Sequence, residues 1–236
     1  MGNICSICAE TNPAFTATAG SLESIAEKSI CVSEKKCSLS KASSTNIRKS
    51  VKIEAIDGSL SFAQLMRASG SLGVETSELK NPDSTLSSFF NSFIDESQGY
   101  KERLLTLASI LISNSSIKEK CSVIFEVYDL NENKMLKVSE VKRYLDEAFY
   151  NSVECLPKLA GGGSKAAEQG INVYLSQIRP FQKDFVDEMT EVIMGKQPEI
   201  GQSRFFETVN EKAQQVVSSS GIRTWVFSRY ATKTSN

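Results

Sequence analysis

The stretch from Ser116 to Tyr150 constrains this chain more than any other. Its first half places Ile117, Cys121, Ile124, Phe125 and Tyr128 at spacings of four, three, one and three, which draws one apolar stripe on a helix ending at Tyr128. Twelve residues follow, Asp129 to Glu140, and a second amphipathic helix then presents Val141, Tyr144, Leu145, Ala148 and Phe149. The connecting segment is rich in oxygen. Asp129 stands at position 1, Asn131 at 3, Asn133 at 5, the Met135 carbonyl at 7 and Glu140 at 12. Calcium takes about six to eight oxygens in a flexible cage, so this loop is a candidate calcium site. Leu136 at position 8 is placed to face the core while its backbone pairs with another loop.

Around this unit the pattern is helical. Helices are predicted over Ser61–Ser69, Ser84–Ile94, Lys101–Ile112, Ser116–Tyr128, Val138–Tyr150, Ala166–Gln177, Phe181–Met194 and Arg204–Val217. A short apolar piece at Lys134–Val138 is the main strand signal. Residues 1–50 differ: they are rich in Ser, Thr, Ala, Cys and Lys, and Phe15 is their only aromatic residue. They read as a mostly disordered segment, with room for a short helix near Ser21–Lys28. Gly161, Gly162 and Gly163 mark a flexible break, which makes Cys155–Lys165 a loop. The fold class expected is all-α, divided into a disordered segment 1–50, a helical pair over 51–114, a second pair over 115–217 with the Gly-rich insertion, and a tail over 218–236. In that tail Trp225, Phe227 and Tyr230 sit near Arg223 and Arg229, and whether it docks or stays mobile is left open.

Composition excludes several function classes. The 27 basic and 28 acidic residues leave a net charge of −1, so bulk charge does not point to nucleic acid. No apolar run reaches the roughly 18 residues a membrane span needs. Histidine is absent, which removes the serine and cysteine protease triads and most zinc enzymes. No GxGxxG, GxxxxGK(S/T) or GxSxG motif occurs. Cys121 and Cys155 have no neighbouring base in sequence and read as small apolar residues rather than nucleophiles. An enzyme is therefore not expected. With no secretory signal in view, the six cysteines are expected to be reduced thiols.

The N-terminus carries a different chemistry. Met1-Gly2-Asn3-Ile4-Cys5-Ser6 fits the M-G-x-x-x-(S/T) signal for N-myristoylation, which needs the unhindered amine of Gly2 after Met1 is removed. Cys5 and Cys8 lie close behind as candidates for palmitoylation. A zinc reading of Cys5-x-x-Cys8 with Cys31 and Cys37 competes, but the second spacing is poor. One myristoyl chain binds membranes only marginally, at roughly 10⁴ M⁻¹, so a second signal is needed. Lys35, Lys36, Lys41, Arg48, Lys49 and Lys52 form a stretch without an acid that suits an anionic surface. Ser38, Ser40, Ser43, Ser44 and Ser50 lie within it, and their phosphorylation is one way to reverse its charge.

On Phe125-Glu-Val-Tyr-Asp-Leu-Asn131, the loop just described and the acylation signal, the chain resembles the EF-hand superfamily, in particular the neuronal calcium sensor, recoverin and calcineurin B group. The resemblance covers about Ser113–Tyr150. It implies paired EF-hand helix–loop–helix units in a four-hand arrangement, one recognisable and up to three degenerate. The fainter hands lie at Asp57–Gln64, Phe90–Gly99 and Phe185–Phe205, and each lacks a full ligand set. The clear loop also departs from the pattern. Lys134 occupies position 6, where the family has glycine for a sharp turn, and position 9 is Lys137. Calcium binding is accordingly expected to be weak or lost. The function implied is a membrane-anchored adaptor or calcium sensor on the cytoplasmic face of a plasma membrane or endomembrane. It would present an apolar groove to an amphipathic helix of a target protein, with Met66, Met135, Met189 and Met194 as possible lining. The alternative is a membrane-associated helical scaffold that self-assembles without calcium regulation.

Overall fold

The computed structural model describes residues 22–161 and 165–230. The chain is mostly helical with two very small sheets, in keeping with an all-α class. The helices are α1 (Leu22–Lys36), α2 (Ser44–Glu54), α3 (Phe62–Ser71), α4 (Thr76–Lys80), α5 (Thr85–Asn91), α6 (Glu102–Ile112), α7 (Ile117–Tyr128), α8 (Val138–Tyr150), α9 (Lys165–Ile178), α10 (Gln182–Met194), α11 (Gln202–Lys212) and α12 (Ser219–Arg229). The strands are β1 (Ser59–Leu60), β2 (Tyr100–Lys101), β3 (Met135–Lys137) and β4 (Glu199–Gly201).

Each strand sits in the connection between two helices. β1 joins α2 to α3, β2 joins α5 to α6, β3 joins α7 to α8, and β4 joins α10 to α11. The strands then pair antiparallel, with Leu60 opposite Tyr100 in one sheet and Leu136 opposite Ile200 in the other. All four of these residues are buried. Helix–strand–helix units are thus stapled in twos through their connections. The aromatic core beneath the second pair runs Phe125–Phe205–Tyr144–Tyr128, with ring centroids 6.1, 6.2 and 5.4 Å apart. Phe89, Phe90 and Phe93 fill the first pair, with centroids 5.1 Å apart in edge-on geometry.

The expected disorder over 1–50 does not hold where the structure describes that segment. Residues 22–54 form α1, a 3₁₀ turn at Ser38–Lys41 and α2, so the boundary expected at residue 50 falls inside a helix. Ala26, Ile30, Cys37, Leu39, Ile47 and Val51 are buried. The serines that make the region look like a disordered tail include helix caps. Ser43 accepts from the Asn46 N–H, as Ser61, Ser84, Ser116 and Ser218 accept at the starts of α3, α5, α7 and α12. The loop expected at Cys155–Lys165 is also displaced. A π turn at Asn151–Cys155 and a 3₁₀ turn at Leu156–Ala160 continue α8, and Val153, Cys155, Leu156 and Leu159 are buried in them. Gly162 and Gly163 lie outside the described residues. The tail after residue 218 docks as α12, with Ile222 and Val226 fully buried and Trp225 edge-on to Phe185 at 5.8 Å.

Candidate functional site

The loop after α7 is ordered by its own oxygens. Asp129 caps the helix, and its two carboxylate oxygens accept from the backbone N–H groups of Asn133 (3.2 Å) and Lys134 (2.9 Å). The Asn131 side chain accepts from Asn133 N–H at 3.1 Å, and the Asn133 side chain accepts from Met135 N–H at 2.8 Å. These short Asx links turn the chain tightly enough to put Glu132 and Lys134 at φ of 54° and 63°. Lys134 thus adopts the left-handed backbone that glycine takes without a steric penalty. β3 then locks the exit against β4.

Glu140 has a different role from the one its position suggests. Lys137 stands at the N-cap of α8 but has no acceptor in its side chain with which to cap it. Glu140, three residues on, reaches back and accepts from the Lys137 N–H at 2.8 Å. One oxygen of this carboxylate, Oε2, thus caps the helix that follows the loop. Asp129 and Glu140 are the only carboxylates among the five candidate ligands, which also include Asn131, Asn133 and the Met135 carbonyl, and Lys134 and Lys137 sit among them. Among the described residues no group of three or more acidic or cysteine side chains converges on one point.

The lipidation candidates Gly2, Cys5 and Cys8 lie outside the described residues. The basic stretch proves to be shared among different surroundings. Arg48 pairs with Glu102 on α6 and, at 3.2 Å, with Glu126 on α7, and Lys52 reaches Glu126 at 3.4 Å. The acids absent from the local sequence thus arrive from other helices. Lys35, Lys36, Lys41 and Lys49 are exposed. The serines between them are unequal too: Ser40 and Ser44 are buried, Ser43 is a cap, and Ser38 and Ser50 are partly accessible. A charge switch through Ser40 or Ser44 would put a phosphate where the fold buries the side chain.

Between α2 and α3 lies an open groove of about 550 Å³. Asn46, Lys49, Ser50 and Ile53 line one side at helical spacing, and Arg67, Ala68, Ser71 and Leu72 line the other. Ile53 is 70% exposed at its mouth. Arg67 is held by Glu54 at 2.8 Å, while Lys41 and Lys49 make no ion pair with any described residue. The groove accordingly mixes apolar and polar lining with the cations Lys41, Lys49 and Arg67.

A buried ion cluster between α1 and α12 was not legible in sequence. Arg223 of α12 is fully buried and donates to both oxygens of Glu27 (2.8 and 2.9 Å), to Glu34 (2.8 Å) and to the Ser152 carbonyl (2.9 Å). Both glutamates belong to α1, so this latch ties the first described helix to the last. Burial pushes the Glu34 carboxyl up, with Arg223 opposing. Nearby, the ammonium of buried Lys120 donates to the carbonyls of Leu111 and Val217 at 3.2 Å each. Burial pushes Lys120 down to about 8, with Glu34 partly offsetting. The available signal was the pair Glu27 and Glu34, seven apart on the same helix face as Ala26 and Ile30. No protein-family model and no curated protein matches this chain.

Proposed function

We propose that this chain is a membrane-anchored adaptor built from EF-hand-type helix–loop–helix units, in which the Asp129–Glu140 loop serves as a structural turn. The observation that carries the reading is the pairing of connections: four helix–strand–helix units joined in twos through Leu60–Tyr100 and Leu136–Ile200. That pairing accounts for a twelve-residue, oxygen-rich loop with Leu136 turned into the core. Glu140 caps its helix, so the hand is held without an ion and no step of the function runs through calcium. Acylation at Gly2, with Cys5 and Cys8 behind it, holds the body on the cytoplasmic face of a membrane. The groove between α2 and α3 receives the partner, and its cations favour an amphipathic helix bearing acidic residues.

Two measurements test this. Intact mass of the protein from its native cell gives the acyl chains directly, and an unmodified Gly2 removes the anchor. Calorimetric titration with calcium is run on the wild type and on Glu140→Gln. The adaptor reading expects no calcium-dependent heat from either at micromolar concentration. A wild-type heat that disappears in Glu140→Gln would make the loop a sensor and overturn the structural-turn assignment.

A further inference from the structure

We propose that the outward face of α1 is a second membrane contact, lying flat against an anionic lipid surface. The inference rests on the membrane anchoring proposed above and adds the surface that orients the body. At about 100° per residue, Ile25, Lys28, Val32, Lys35 and Lys36 fall within an arc of about 100° on this helix. Ile25 is 62% exposed and Val32 50% exposed, and the three lysines between and beyond them are exposed as well. Large aliphatic side chains held in water beside lysines are the pattern of helices that lie in a membrane interface.

The fold sorts the charge of this helix. Its sequence holds three lysines and three glutamates, so α1 carries no net charge. Glu27 and Glu34 are turned inward onto Arg223. No acid shares the outward arc. The latch between α1 and α12 therefore leaves a face with one sign of charge and an apolar ridge. An anionic surface complements both features, whereas a neutral one complements only the ridge. The position along the chain agrees, since Gly2 precedes the start of α1 by twenty residues.

The test uses the full chain carrying Gly2→Ala, so that no acyl group contributes. Sedimentation with phosphatidylcholine vesicles containing about one third phosphatidylserine is compared with pure phosphatidylcholine. Binding is expected to the anionic vesicles and to weaken about fivefold with Lys28→Ala. Val32→Ser is expected to weaken it severalfold, and Lys212→Ala, on α11 away from the packing partners of α1, to leave it unchanged. Circular dichroism and Trp225 emission check that each variant is folded. Equal binding to both vesicle types overturns the proposal, as does an equal effect of Lys28→Ala and Lys212→Ala. Either result leaves the acyl anchor standing or falling on the mass measurement alone.

Discussion

Replacing Arg223 by methionine removes the one cation that satisfies Glu27 and Glu34. The guanidinium is wholly buried, and its side-chain partners are only 12% and 7% exposed. Three charge-assisted hydrogen bonds are lost, together with one to the Ser152 carbonyl. Removing one partner of a buried ion set costs about 3–5 kcal/mol, because the remaining charges stay desolvated. Protonation of Glu34, already favoured by burial, limits the loss to this range. For a chain of this size, that corresponds to a fall in melting temperature of about 6–20 °C. Trp225, the only tryptophan, sits two residues from Arg223 on α12 and packs on Phe185, so its emission reports the undocking of that helix. Urea denaturation is followed by this emission and by circular dichroism together. The triple variant Glu27→Gln/Glu34→Gln/Arg223→Met is expected to regain a large part of the loss, since all the buried charge is gone. A loss below about 1 kcal/mol for Arg223→Met, or a triple variant as unstable as the summed singles, would refute the latch as the tie between α1 and α12.

Lys120 makes stability depend on pH in an unusual sense. Its folded value is near 8, below that of a free lysine, so between there and about pH 10.5 the unfolded chain binds a proton that the folded chain does not. Stability through this group therefore rises with pH, and the difference between wild type and Lys120→Met should shift in favour of wild type by about 1.5 kcal/mol from pH 8 to pH 9.5. The buried thiols of Cys37, Cys121 and Cys155, pushed up to about 11, 12 and 11, act oppositely above pH 9, which is why the difference between the two proteins is the quantity to measure. A difference that stays flat with pH would refute the assignment. At the turn, Lys134→Gly relieves a left-handed backbone at φ 63° and should stabilise by about 1 kcal/mol, read as a higher urea midpoint. An unchanged or lower midpoint would show that the turn carries no strain.

What could be read in the sequence was whatever repeats locally. The stripes of α7 and α8 come from large apolar residues at helical spacing, and their bounds agree with the pattern to within a residue. β3 was visible as the short apolar piece around Leu136, but its pairing with Ile200 was not, because the contact spans more than sixty residues. The fate of Glu140 was within reach. A lysine at the N-cap of a helix leaves the cap unfilled, and the glutamate three residues later fills it.

α1 and α2 were hidden for a more general reason. Their inward faces hold few large apolar residues: Ala26, Ile30 and two glutamates on α1, and Ile47, Val51 and a buried Ser44 on α2. Such a face looks solvated when read alone, because a carboxylate is normally exposed. It can face inward only when a cation meets it, and the cation here lies 196 positions from Glu27 and 189 from Glu34. The same fact explains the charge of the outer surface. Once both carboxylates are committed to Arg223, the lysines of α1 are left on the side facing water. A helix that is neutral in sequence thereby presents a cationic face, with its inward carboxylates Glu27 and Glu34 satisfied by α12.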